Sequence, residues 1–192
     1  MFENLTWLNE PAKWNANGEK LSVRTADCTD FWQTTFYGFE HDNGHFLYRE
    51  VAGDFTMQVT FNGSYEALYD QAGIMVRVDE KNWLKTGIEF TDAEINLSVV
   101  LTRDYSDWSV VHYPDYRGSL TIRLTRYGSA IRVEYFDENH AWRLLRLGYL
   151  SLPEVCKAGI MCCSPTRAGF AVEFTDFSIG APIVLPLHES GL

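Results

Sequence analysis

The chain has few cysteines and prolines: 4 Cys and 6 Pro among 192 residues. Cys28, Cys156, Cys162 and Cys163 form no C-x-x-C pair. A disulfide framework and a structural zinc site are therefore not expected. Adjacent Cys162 and Cys163 would face opposite sides of a strand. They are read as reduced thiols packing as small hydrophobes, with Cys163 buried. No basic run is present, and the formal charge is −10. A nucleic-acid partner is excluded on that ground, as is an anionic membrane surface. No apolar run reaches transmembrane length. The opening MFENLTWLNE lacks the basic and apolar regions of a secretory signal. A cytoplasmic location is expected, which makes the sequons at Asn4, Asn62 and Asn96 incidental. No Gly-rich phosphate loop, G-x-S-x-G elbow or H-E-x-x-H motif occurs, so no cofactor is expected.

What the chain does have is alternation. Hydrophobic residues make up 46% and aromatics 15%, enough for a full core of pleated strands. Period-two segments bounded by turn residues occur at 20–25, 45–51, 55–63, 72–78, 83–90, 94–102, 108–113, 120–127, 130–136, 142–147, 157–163 and 170–179. Asn43-Gly44 reads as a hairpin turn, and a short helical turn is expected near 151–155. These strands predict an all-β fold of two stacked antiparallel sheets. The expected organisation is one domain over 1–180 and a surface tail over 181–192.

The segment 71–90, QAGIMVRVDEKNWLKTGIEF, separates two chemistries. Ala72, Ile74, Val76 and Val78, with Leu84, Thr86, Ile88 and Phe90, should share the inter-sheet core. The opposite side carries Gln71, Arg77, Trp83, Lys85 and Glu89, expected on an open outer surface. Gly73 and Gly87 on that side suggest a hollow where a ligand nears the backbone. In this reading Trp83 stacks on a sugar ring and Lys85 and Glu89 bond hydroxyls. The bland alternative is a solvated cross-strand ion pair, with Arg77 meeting Glu89 or Asp79. Trp108 and His112 share a strand face and are taken as ligand contacts, with Ser106 to Ser109 shaping a loop at the groove border; the alternative is an Asx turn at Asp107 with Trp108 as a core cap. Tyr48 and Glu50 fit a groove or an exposed face equally. His41, Asp42 and His45 offer metal-type donors or a loop at the groove edge, but a turn at Asn43-Gly44 accounts for their polarity, and no metal site is predicted. Glu134 and Glu173 are expected on a solvated convex face.

Several motifs occur in order: TDFWQTTFYGFEHDNGHFLY, VAGDF, YDQAGIMVRVDEKNWLKTGIEF, TRDYSDWS, AGIMCCSP and FTDFSIG. Together they resemble a bacterial and fungal family, domain of unknown function 1349, which includes a fungal protein named as a regulator of enolase. The resemblance covers roughly Thr29 to Gly180. It implies a concanavalin A-like jelly-roll sandwich of the lectin/glucanase superfamily, with sugar binding on a concave face. It implies no activity. The E-x-D-x-x-E acid pattern of retaining glucanases is absent; Glu89-Phe-Thr-Asp92-Ala-Glu94 has the wrong spacing. The expected function is a non-catalytic binding module for a carbohydrate or small polar metabolite. The alternatives are a glycan-active hydrolase and a regulatory protein-interaction module.

Overall fold

The computed structural model describes residues 2–187, so part of the expected tail, 188–192, lies outside the described residues. In chain order the strands are β1 (Thr6–Leu8), β2 (Lys13–Asn17), β3 (Lys20–Arg24), β4 (Phe31–Gln33), β5 (Glu40–Asp42), β6 (His45–Ala52), β7 (Phe55–Gly63), β8 (Gln71–Asp79), β9 (Asn82–Thr91), β10 (Glu94–Arg103), β11 (Tyr105–His112), β12 (Leu120–Tyr127), β13 (Ala130–Phe136), β14 (Trp142–Tyr149), β15 (Val155–Cys163) and β16 (Ala171–Gly180). The first sheet runs β1-β6-β15-β8-β9-β10-β11 and the second β14-β13-β12-β7-β16-β3-β2. Every pairing is antiparallel. Consecutive strands repeatedly change sheets, as β7 to β8 and β11 to β12 do, which makes the sandwich a jelly roll.

Alternation explains the core. Ala72, Ile74, Val76, Leu84, Ile88, Leu97, Val99 and Ile160 face Met57, Val59, Phe61, Ile122, Leu124 and Val133 across the sandwich. Each such aliphatic side chain contributes roughly 1.5–3 kcal/mol on full burial. All twelve strands expected from the sequence are present. Four short ones are additional: β1, β2, β4 and β5 span three to five residues, too few for a periodic signal. The helical turn near 151–155 does not form; this stretch is irregular, bends at Glu154 into β15, and is held where Arg126 Nη2 donates to Leu152 O at 3.2 Å.

Asn43-Gly44 is not a hairpin turn. It is the corner between β5, which pairs with β4, and β6, which pairs with β1 and β15. Asn43 Oδ1 accepts from Asp30 N at 2.9 Å and its Nδ2 donates to Cys28 O at 2.9 Å, so the side chain staples the incoming loop. Asp107 is likewise not in a turn. The turn is three residues earlier, at Asp104 with φ 61°, and Ser106 to Ser109 lie within β11. The predicted hollow at Gly73 and Gly87 is filled by the protein itself. The two glycines face each other, and a Cβ on either would strike the partner strand's carbonyl.

The largest departure is above the outer face of the first sheet. The segment Thr29–Ser164 bridge to β6, containing β4 and β5, folds back over it. Phe31 and Trp32 come down onto Phe46, Met75, Trp83, Val100, Met161 and Cys163, forming a second core. The surface expected to be open is roofed. Gln71, Arg77, Trp83, Lys85 and Glu89 are all buried.

Candidate functional site

Arg77 anchors the roof. Its guanidinium donates bidentately to Asp42, Nη1 to Oδ1 at 2.7 Å and Nη2 to Oδ2 at 2.8 Å. Its ion-pair partner is thus neither Glu89 nor Asp79. Asp42, considered above as a metal donor, is consumed by this pair. His45 is consumed too: Nε2 accepts from Ala26 N at 2.9 Å and Nδ1 donates to Asn9 O at 2.5 Å. Burial holds the ring below the usual imidazole pKa, although the Asn9 carbonyl pulls the other way. The imidazole is a neutral structural crosslink.

Trp83 lies under the roof with no exposed surface, tilted against Phe31 at 6.2 Å, and donates to Glu80 O at 3.0 Å. Its expected role as a stacking platform is corrected: the ring is a core residue. Cys163 is fully buried, and burial pushes its thiol well above the ordinary range.

Beside Trp83 the roof does not seal. A cavity of about 280 Å³ opens there, lined by Asp30, Trp32, Tyr37, Phe39, His41, Tyr69, Gln71, Lys85, Glu89, Val100, Trp108, Pro165 and Thr166. It stands near the lower end of the roughly 300–1,000 Å³ range of ligand sites. Register explains its floor. Gln71 pairs with Glu89 across β8 and β9, and Val100 pairs with Lys85 on one side and Trp108 on the other. Of the residues expected at the site, Gln71, Lys85, Glu89 and Trp108 are brought together. Arg77 and Trp83 lie beneath the roof. His112 is half-exposed along β11, its Nδ1 3.1 Å from Glu94, and does not line the cavity.

The floor is ionic. Lys85 Nζ donates to Asp30 Oδ1 at 2.9 Å, and the same oxygen accepts from Phe31 N at 2.8 Å and Gln71 Nε2 at 3.3 Å. Burial alone would lower the Lys85 pKa, but attraction to Asp30, Cys163 and Glu89 more than offsets it and keeps the ammonium charged. Glu89 Oε2 accepts from Ser98 Oγ at 2.5 Å and Trp108 Nε1 at 3.1 Å. Burial raises its pKa above the ordinary carboxyl value despite Lys85, Ser98 and Trp108.

The walls are aromatic. Trp32 meets Tyr37 at 5.7 Å and Trp108 at 6.4 Å, both edge-on. Tyr37 stacks on Phe39 at 5.1 Å, and Phe39 lies 4.7 Å from His41. Tyr69 approaches Trp108 at 6.3 Å. Across the mouth Tyr37 and Tyr69 share a hydroxyl hydrogen bond of 2.8 Å. That bond, with burial, pushes the Tyr69 phenol up to about 12. Thr34, Phe36 and Tyr69 border the site at φ of 57°, 64° and 66°. Left-handed backbone at non-glycine residues costs of order 1–3 kcal/mol each and gathers at ligand sites.

Sequence reasoning missed Asp30, Trp32, Tyr37, Phe39 and Tyr69; His41, weighed as part of a groove-edge loop, does line the cavity. A signal existed for the roof. Phe31, Trp32, Phe36, Tyr37 and Phe39 fall within nine residues without alternation, more rings than a connecting loop requires. Nothing local marks Asp30 or Tyr69.

The fold is a concanavalin A-like jelly roll, and its site is a partly roofed cavity on the outer face of one sheet. At the level of fold, it is similar to the carbohydrate binding module CBM66 from Bacillus subtilis, with TM-score 0.58, 14% identity, and 93% of this chain and 98% of that one covered. It is also similar to part of the GH43 protein BlXynB (K247S mutant) of Bacillus licheniformis, with TM-score 0.69, 18% identity, and 94% of this chain but 38% of that one covered. The family described as "Protein of unknown function (DUF1349)" matches residues 7–182, and the chain belongs to that family. "Regulation of enolase protein 1" of Saccharomyces cerevisiae is 42% identical over 184 residues, covering 96% of this chain and 93% of that protein. The crystal structure of a functionally unknown protein from Saccharomyces cerevisiae has TM-score 0.92 and 42% identity, covering 95% of this chain and 99% of that one. Among the described residues no helix is long and apolar enough to cross a membrane, which says nothing of β-barrels.

Proposed function

We propose that the protein is a non-catalytic binding module that takes a carbohydrate or small polar metabolite in the cavity of Trp32, Tyr37, Tyr69, Gln71, Lys85, Glu89 and Trp108. The observation that carries this reading is the unfilled volume itself, with aromatic walls over a hydrogen-bonding floor. Apolar walls with a few convergent polar groups are the usual chemistry of small-molecule sites. The size suits one ring rather than a chain of them. Likeness to a carbohydrate binding module adds support at the level of fold only. A cytoplasmic location fits the four cysteines, all unpaired.

A thermal-shift and calorimetric screen of monosaccharides, polyols and polar metabolites tests the proposal. Hits should lose affinity at least about tenfold in Trp108→Ala, as expected for an aromatic anchor. They should be unchanged in His112→Ala, which lies outside the cavity. Hits indifferent to Trp108→Ala would overturn the assignment of the site.

Asp30 and Glu89 in one cavity favour a second reading, hydrolysis of a small glycoside, since that chemistry uses paired carboxyls. Against it, Asp30 is tied to Lys85 and the Phe31 amide. Turnover of chromogenic aryl glycosides that disappears in Glu89→Gln would decide for hydrolysis over binding.

A further inference from the structure

We propose that the ligand of this cavity carries an ammonium group, held among the rings of Trp32, Tyr37, Phe39, Tyr69 and Trp108 with Glu89 as its counter-charge. The inference rests on the reading of the cavity as a binding site and narrows its substrate class.

The balance of charge points this way. The cavity wall carries two carboxylates, Asp30 and Glu89, against a single lysine. Lys85 is spent on Asp30, with its Nζ 2.9 Å from Oδ1 in a pair whose side chains are 4% and 13% exposed. Glu89 has no ion-pair partner among the described residues. Its protein donors, Ser98 and Trp108, both fall on Oε2. No described donor bonds Oε1, in a residue only 6% exposed that faces the cavity. A buried carboxylate left without a partner is strongly unfavourable, and a ligand cation relieves it. Burial already holds this carboxyl above its ordinary range. The walls supply the rest. Aromatic faces attract ammonium groups, and cages of several rings are how proteins recognise them. An anionic ligand would meet two carboxylates in the cavity of a chain whose formal charge is −10. A neutral polyol could donate a hydroxyl to Oε1 but would bring no counter-charge to Glu89, whose attraction to Lys85 is shared with Asp30.

Two matched pairs test this with the full wild-type chain by calorimetry at pH 7.5: D-glucosamine against D-glucose, and choline against its neutral isostere 3,3-dimethylbutanol. At least one ammonium compound should bind about tenfold tighter than its neutral partner, equivalent to about 1.4 kcal/mol. Glu89→Gln, checked for folding by its melting curve, should remove the preference, so that the two members of each pair bind within about twofold of one another. Which pair shows the preference separates a primary ammonium, hydrogen-bonded to Oε1, from a quaternary one, held by the rings with Glu89 as its counter-charge. Equal binding within both pairs, or tighter binding of the neutral members, overturns the ammonium assignment and leaves the binding module standing. No binding by all four overturns it too. The module reading falls with it only if the wider screen also finds no ligand sensitive to Trp108→Ala.

Discussion

The β12–β13 end of the second sheet's outer face and the outer face of the first sheet both bury charge, but only the former is closed. On the second, Arg123 Nε donates to Glu134 Oε2 at 2.8 Å, and Arg132 Nε lies 3.1 Å from the same oxygen. Trp142 covers Arg123 at 3.9 Å, and Arg132 donates to the carbonyls of Ile183 and Leu185 at 3.0 Å each, strapping residues 181–187 across the face. Glu134 was expected on a solvated convex face and is instead buried, because its two arginines and the strap exclude water. Glu173, 40% exposed and paired with Lys20, fits that expectation. On the first sheet the roof of β4 and β5 leaves a cavity, and Glu89 has no arginine. Buried charge therefore does not by itself mark a site. What differs on the first sheet is a carboxyl without an ion-pair partner beside an unfilled volume, and the proposed site rests on that difference.

The largest effect should come from breaking the closed side. Glu134→Ala leaves Arg123 and Arg132 buried without their carboxylate and should cost about 3–5 kcal/mol in urea unfolding. A loss below about 1 kcal/mol would mean that face is wetter than its burial implies.

Next is the roof. Arg77→Lys replaces a bidentate pair with a single contact and should cost about 1–3 kcal/mol. Faster amide exchange confined to β4 and β5 would show that Arg77 holds the roof, while exchange spread over both sheets would not.

Glu89→Gln should act in the opposite direction to the Glu134 variant. The folded pKa of Glu89 is raised above its ordinary value of 4.5 by burial. Its favourable contribution is therefore complete below about pH 4.5 and is lost as pH rises through the folded value. The Gln variant should match wild type in acid and exceed it at neutral pH, by roughly 0.5–2 kcal/mol as for other relieved functional-site costs. Melting curves across pH 4–8 check the sign.

The smallest effect is at the mouth. Tyr37→Phe removes the hydroxyl bond to Tyr69 and should cost about 0.5–1.5 kcal/mol or less. Spectrophotometric titration should show one phenol falling from about 12 toward the ordinary value of 10. An unchanged titration would place the cause of that shift elsewhere.

Much of this comparison was legible before any coordinates. Strands of eight to ten residues, such as β8, β9 and β10, declare themselves by alternation, which also assigns Ile74 and Ile88 to the core and Lys85 and Glu89 to the other face. Trp83 shows the limit. Its parity is right, but what lies above it depends on Phe31, fifty-two positions earlier in the chain. The roof strands of three residues carry no period, and the aromatic cluster 31–39 announces a purpose without a place.

The sequence by itself determined the all-β class, the two-faced strands and the family motifs, because alternation and turn chemistry act between near neighbours. Only the tertiary structure decided that one face is roofed, that Arg77 serves the roof and Lys85 the cavity, and that Glu89 is left unmatched. Those outcomes rest on contacts such as Arg77 with Asp42 and Gln33 N with Ser106 Oγ, which span 35 and 73 positions. Contacts at such separations form only when distant segments of the chain close on one another, and local pattern carries no record of them.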